Sequence, residues 1–338
     1  LQLVAQRFLS APPQRRTEII QHLPAFRHLQ PADVAVHQRL ERHARGFERE
    51  ARRGRSGGRG DATPDTAAAL FEQADGIVLA DLDRKLAQVR AEGRRVKFLY
   101  VVPNFQNPTG LLLSLEKRRR LLDWARQHDL LIVEDDPYGD LYFADAAGPS
   151  DTRPLKADDA EGRVIYLSSF SKTLSPAFRV AWMMAPSELA ARFETAKQCL
   201  DLCTSDFSQH IVCEAVRRGV LARQLPKLRA YYQQSRTSME TALSGALGGH
   251  VSWVKPRGGF FLWVTLPASI HTGAMLPRAM AKGVIYVAGG AFFVNGAGTN
   301  TLRLAFSLAA DDRIREGVAR LATAVTEETA GVTATASR

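Results

Sequence analysis

What this 338-residue sequence lacks narrows it first. No apolar run approaches the roughly 20 residues of a membrane span, so no membrane partner is expected. There are only three cysteines, Cys199, Cys203 and Cys213. Their odd number and the absence of a CxxC spacing suit reduced, mostly buried thiols of a cytoplasmic protein rather than a disulfide framework. Four of the eight histidines crowd into the first fifty residues, six to nine positions apart, which is no metal-ligand spacing. No metal site is expected. The chain opens on Leu1 rather than Met and shows no signal peptide, so it is read as an N-terminally incomplete form. No internal repeat is visible.

Lysine, tyrosine and tryptophan are missing from residues 11–74, and this stretch stands apart. Residues 11–60 hold eleven Arg and five acids, so +6 of the net +10 sits in fifty residues. The stretch contains the run RRGRSGGRG, in which Gly54 to Gly60 reads as a flexible linker. Three readings of 11–74 stand open: a solvated basic loop, a nucleic-acid arm, or a frame-disrupted stretch of a GC-rich gene. Only Phe26, Phe47 and Phe71 are there to stack on bases, which argues against the second, and no nucleic-acid partner is expected. Residues 1–10, with Leu1, Val4, Phe8 and Leu9 at helical spacing, read as one helix of a larger unit.

From about Asp75 the pattern is orderly. An amphipathic helix is predicted over 82–92 with Asp81 as its cap, a strand over 96–102, a turn-rich loop from Asn104 to Gly110, and a helix capped by Ser114. Leu130 to Val133 is a second buried strand and delivers Glu134, Asp135, Asp136 and Tyr138 at its carboxyl end; Val164 to Leu167 and Arg179 to Met184 are further strands. Ser187 is placed as the cap of another helix, and a long helix is predicted from Lys227 to Leu247. Strands over 251–266 and 301–306 and a closing helix over 311–325 follow. The expectation is an α/β protein: a mostly parallel open sheet flanked by helices over 75–226, with ligands at its strand ends, then a smaller α+β domain over 227–330 and a tail over 331–338.

The most informative stretch is SSFSKTLSPAFR, residues 168–179, which follows the third strand. A lysine among hydroxyls, with an arginine a few residues on, suits a covalent link to an aldehyde cofactor and a clamp for its phosphate. The bland alternative is a solvated surface loop. Four more phrases occur in order: NPTG at Asn107, DxxY at Asp135 and Tyr138, GGFFLW at Gly258, and NTLRLAFS around Arg303.

Together these five resemble the class I/II aminotransferases, pyridoxal phosphate (PLP) enzymes of fold type I. The 2-aminoadipate/kynurenine branch and the aminotransferase-like domain of MocR-type regulators in the GntR family are the most similar, and the resemblance covers about three quarters of the chain. It implies PLP as cofactor, an α-amino acid and a 2-oxo acid as substrates, and a homodimer. Lys172 resembles the lysine that binds the cofactor and moves the substrate α-proton. Asp135 resembles the carboxylate under the pyridine nitrogen, with Asp136 competing for that place. Tyr138 and Asn107 resemble the donors to the phenolate oxygen, and Ser169, Ser171 and Arg179 the phosphate ligands. Arg303 resembles the arginine that binds the substrate α-carboxylate, with a structural salt bridge as the rival role. Gly258-Gly259 reads as a backbone packing feature, and Phe260, Phe261 and Trp263 as core.

The sequence also departs from the pattern. The Gly/Ser-Gln turn ahead of the segment that Leu1 begins, and the aromatic that stacks on the cofactor ring, have no counterpart, which implies weakened PLP retention. Ala177 and Ala181 stand where the branch has glycine, so either a positive φ falls on alanine or the loop is shifted. The alternative function is a PLP-binding sensor domain of a regulator without its DNA-binding domain.

Overall fold

Three short aliphatic runs make three parallel neighbours. In the computed structural model, which describes residues 75–293 and 296–336, β1 (Phe98–Val101), β2 (Leu131–Asp135) and β3 (Val164–Ser169) pair in parallel, in that order. The fourth strand, β4 (Ala181–Met184), closes the sheet antiparallel to β3. Helices α1 (Leu79–Ala91) and α2 (Leu115–His128) cover one face, with Leu82, Leu86, Leu121 and Trp124 packed on Val101, Ile132 and Val164. The opposite face has a thinner cover, where Leu189 of α3 (Ser187–Asp201) meets Ile165, and Phe98 and Tyr100 of β1 stand exposed. Ser114 caps α2 as predicted, accepting from Lys117 N at 3.3 Å. Two predicted caps differ. Val78, not Asp81, precedes α1, and Asp81 pairs with Arg84 inside the first turn. Pro186 precedes α3, so Ser187 is its first residue.

The second sheet is antiparallel throughout. Its strands β5 (Ser252–Trp253), β6 (Phe261–Thr265), β7 (Val287–Ala288) and β8 (Thr301–Ala305) run in the order β5-β6-β8-β7. Leu262, Val264, Leu302 and Leu304 alternate inward against α5 (Val220–Leu247), α6 (Thr272–Ala281) and α7 (Asp311–Ala336). Helix α4 (Asp206–Arg217) lies between α3 and α5. The long helix α5 starts at Val220 rather than at Lys227, because Gly219 in the left-handed region breaks the chain there and Pro226 is taken inside the helix. Residue 226, where the sequence placed a domain boundary, thus lies within one helix.

The segment after Tyr138 straps the two sheets together. Phe143 N donates to Arg257 O at 2.8 Å and Gly259 N to Leu141 O at 3.0 Å. Phe105, fully buried and at φ 49°, lays its ring against Gly258. A Cβ at 258 would stand 2.5 Å from two ring carbons and 2.6 Å from Leu141 O, so the glycine is demanded by packing.

The cysteines correct the sequence reading: all three are free and exposed. Cys199 lies on α3, whose one buried residue is Leu189, and Cys213 lies beside the inward Val212 of α4 and points away from the core. Among the described residues no helix is long and apolar enough to cross a membrane, and no cluster of His, Cys, Asp and Glu is arranged to hold a metal. The predicted helix at 1–10 and the arginine-rich stretch 11–74 lie outside the described residues.

Candidate active site

The site gathers at the carboxyl ends of β1, β2 and β3. Beyond β1, a turn closed by Gly110 N on Gln106 O (2.7 Å) presents Asn107. Its Oδ1 accepts from Arg303 Nη1 at 2.5 Å. Arg303 stands in β8 between the buried Leu302 and Leu304, with its guanidinium 4.3 Å above the Phe261 ring and 5.2 Å from that of Phe292. Its Nε is buried and has no hydrogen-bond partner among the described residues. Burial lowers its pKa from the ordinary arginine value, although it keeps its charge at any physiological pH.

The two neighbouring aspartates have different surroundings. Asp136 turns inward. It accepts from Asn104 Nδ2 (2.9 Å), Gly139 N (2.9 Å) and Tyr166 OH (3.2 Å), which occupies both oxygens. Behind it, Arg118 donates to Asn104 Oδ1 at 2.7 Å, to Leu113 O at 3.0 Å and to Arg153 O at 2.9 Å. Asp136 is thus a structural anchor for the turn that carries Tyr138. Asp135 faces the other side of the sheet and accepts from Tyr100 OH, through Oδ2, at 2.5 Å. Tyr138 is buried edge-on to Phe260 and Phe261, with ring centroids 5.6 and 6.2 Å away. Burial, then the charge of Asp135, raises its pKa, so the phenol keeps its proton as a donor.

Beside β2, β3 runs into the lysine loop. Ser171 N donates to Ser169 Oγ (3.0 Å), and Leu174 N and Ser175 N both donate to Phe170 O (2.9 and 3.1 Å). This tight turn lifts Lys172 off the sheet end. Lys172 is half-buried, and its Nζ has no hydrogen-bond or ion-pair partner among the described residues. Arg179 closes a short 3-10 turn over Pro176–Phe178, is exposed, and takes the left-handed conformation at φ 54°. The positive φ in this loop falls on Arg179 and on neither Ala177 nor Ala181. No direct bond joins Lys172 or Arg179 to Asp135, Tyr138, Asn107 or Arg303, yet all six lie at the same end of adjacent strands or opposite it.

A family model, "Aminotransferase class I and II", matches residues 68–321. The chain belongs to the class I and II aminotransferases. Within this family it is 44% identical over 254 residues to aromatic-amino-acid aminotransferase 1 of Thermococcus litoralis, a match covering 75% of this chain and 60% of that protein. It is 40% identical over 245 residues to 2-aminoadipate transaminase of Thermus thermophilus, covering 72% and 61%. The transcriptional regulator NorG of Staphylococcus aureus is 28% identical over 229 residues, covering 68% and 50%. Among solved structures, kynurenine aminotransferase of Pyrococcus horikoshii in complex with PMP superposes with a TM-score of 0.72 at 42% identity, over 76% of this chain and 62% of that one. This aminotransferase chain therefore spans about three fifths of the length of these enzymes. The fold-type reading of the sequence, an open α/β sheet with a smaller α+β part, is the fold observed.

Two residues of the site escaped sequence reasoning. Phe261, read as core, is half-buried and forms the platform under Arg303. Tyr100 passed as one more strand residue. The signal was its parity: it pairs with Val133 across the parallel ladder, so it shares a face with Asp135 two residues on.

Proposed function

We propose that the protein is a PLP-dependent aminotransferase that moves an amino group between an α-amino acid and a 2-oxo acid. The observation that carries this reading is Arg303. Asn107 holds one guanidinium nitrogen and Phe261 supports the plane, while the buried Nε is left without a protein partner. A buried, oriented and unsatisfied arginine edge is costly unless a planar anion completes it, and an α-carboxylate has that shape. The remaining groups fit the cofactor. Lys172 Nζ has no hydrogen-bond or ion-pair partner among the described residues. Asp135 has one oxygen held by Tyr100 and the other available. Asn107 has its amide nitrogen left to donate, its oxygen being used by Arg303.

When bound, the cofactor supplies an electron sink for the α-carbon of the amino acid. The chain's residues do the rest. Lys172 would hold the cofactor through its amine and would take and return the proton at the substrate α-carbon. Asp135 would accept from the pyridine nitrogen. Tyr138 and Asn107 would donate to the phenolate oxygen, and the hydroxyls of Ser169 and Ser171 with Arg179 would hold the phosphate. Arg303 would hold the substrate α-carboxylate.

The reading extends to assembly and place. Leu200, Leu202 and Phe207, at 86, 77 and 76% exposure, form an apolar run at the α3–α4 junction that suits burial in a homodimer. Three free exposed thiols fit a reducing, cytoplasmic setting. We read the two sheets as a large and a small domain. A second reading is a ligand-sensing domain of a regulator, favoured by the similarity to NorG.

Absorbance of the chain with added PLP, before and after glutamate, 2-aminoadipate or phenylalanine, tests the function. A band of lysine-bound cofactor that is lost in Lys172→Ala and converts to the amine form with a donor is the expected result. A band that no donor converts favours the sensor, and no band at all contradicts both readings.

A further inference from the structure

Resting on the function proposed above, we infer that Tyr100 is a positioning residue for Asp135, the group that would hold the cofactor's ring nitrogen. The geometry is specific. Tyr100 sits on β1, one strand over from Asp135, and its hydroxyl donates to Oδ2 at 2.5 Å. A carboxylate in one hydrogen bond of this kind loses rotation about its terminal torsion and keeps its second oxygen for one further partner. With one oxygen fixed, the other is held ready to accept from a protonated ring nitrogen, the state in which the ring draws electrons.

Among the described residues Tyr100 makes no other side-chain hydrogen bond. Its ring is 53% exposed, beside an equally exposed Phe98, so it contributes little to either core. A tyrosine on an exposed strand face needs no buried partner, and this one is nevertheless tied to the single carboxylate at the site that faces its way. Burial of the hydroxyl, followed by the neighbouring carboxylate, raises the phenol's pKa, so Tyr100 remains a donor throughout the working range of pH.

The test compares wild type with Tyr100→Phe, Asp135→Asn and the double variant. Without cofactor, ultraviolet titration of the phenols reads the bond itself. Asp135→Asn is expected to lower the pH at which Tyr100 ionises, and an unchanged titration overturns the inference. With PLP, Tyr100→Phe is expected to weaken binding about ten-fold, the size of one hydrogen bond to a charged group. In the double variant the loss is expected to match that of Asp135→Asn alone, because coupled residues are not additive. The nitrogen-15 shift of ring-labelled PLP is expected to move away from the protonated position in Tyr100→Phe, a change that a merely structural tyrosine would not cause. Wild-type binding with additive losses or an unmoved nitrogen shift overturns the inference and leaves the proposed function standing. Failure of wild type to bind PLP at all overturns the proposed function, while the cofactor-free titration still decides whether Tyr100 and Asp135 are coupled.

Discussion

Arg303 and Asn107 lie 196 positions apart in the chain and meet in a 2.5 Å hydrogen bond between Nη1 and Oδ1. One belongs to β8 of the antiparallel sheet and the other to the loop after β1 of the parallel sheet. The contact therefore spans the cleft between the two sheets and sets the edge of the guanidinium that is left over. Replacing Arg303 with Lys keeps the charge and loses the fork. The expected outcome is a fall in kcat/KM on the order of 100-fold, mostly through KM, for every substrate with an α-carboxylate. Steady-state kinetics with two unlike amino donors checks this: equal losses for both assign Arg303 to the shared carboxylate, and a loss for one alone assigns it to side-chain choice.

Gly258 supports the same cleft from behind. A methyl group there meets the Phe105 ring at 2.5 Å and the Leu141 carbonyl at 2.6 Å, and Phe105 is fully buried with no room to retreat. Gly258→Ala is expected to cost about 3 kcal/mol and to lower Tm by roughly 5–10 °C. Calorimetry of the purified variant checks it, and an unchanged Tm would mean that the two sheets are not locked at this contact.

The buried carboxylates give a pH signature. Glu134 is fully buried and accepts from Leu155 N (2.8 Å) and Lys156 N (2.9 Å). Burial, followed by the charge of Asp136, pushes it up to about 8 against those two donors and Arg118. The folded state then binds more protons than the unfolded chain between about pH 4.5 and 8. The raised pKa adds stability below the lower limit, and that stability is lost as pH rises through the upper one. The stability of wild type relative to Glu134→Gln is expected to decline across this window, by at most about 1.4 kcal/mol per pH unit. Urea unfolding at pH 5, 6, 7 and 8 measures it, and parallel curves would show that Glu134 is ionised throughout.

How much of this was legible in the sequence follows from which forces act locally. The apolar runs at 96–102, 130–133 and 164–167 announce strands that the structure places at 98–101, 131–135 and 164–169, because short runs rich in β-branched, aliphatic and aromatic residues favour strands, and Ser114 announces its cap because the bond it makes is three residues away. Lys172, Asp135, Tyr138, Asn107 and Arg303 were singled out because the phrases that carry them resemble a family's, and their roles here are proposals. Asp135 was preferred to Asp136 for its spacing of three to Tyr138, but what Asp136 does instead was not legible, since it depends on Asn104 and Tyr166, thirty or more positions away. Tyr100 was missed for the same reason, and the cysteines were misplaced because composition says nothing about which side of α3 and α4 faces the core. Of the two alternatives left open for this loop, a positive φ on Ala177 or Ala181 is not found; the positive φ falls on Arg179, which closes the 3-10 turn over Pro176–Phe178.

The central claim is that Lys172 carries the cofactor, and reduction followed by peptide mapping tests it most directly. The chain is incubated with PLP, reduced with borohydride, digested and analysed by mass spectrometry. A phosphopyridoxyl group on Lys172, at near one equivalent and abolished when an amino donor is added before reduction, is the predicted result. Label spread over other lysines, with Lys172 unmodified, would contradict the account.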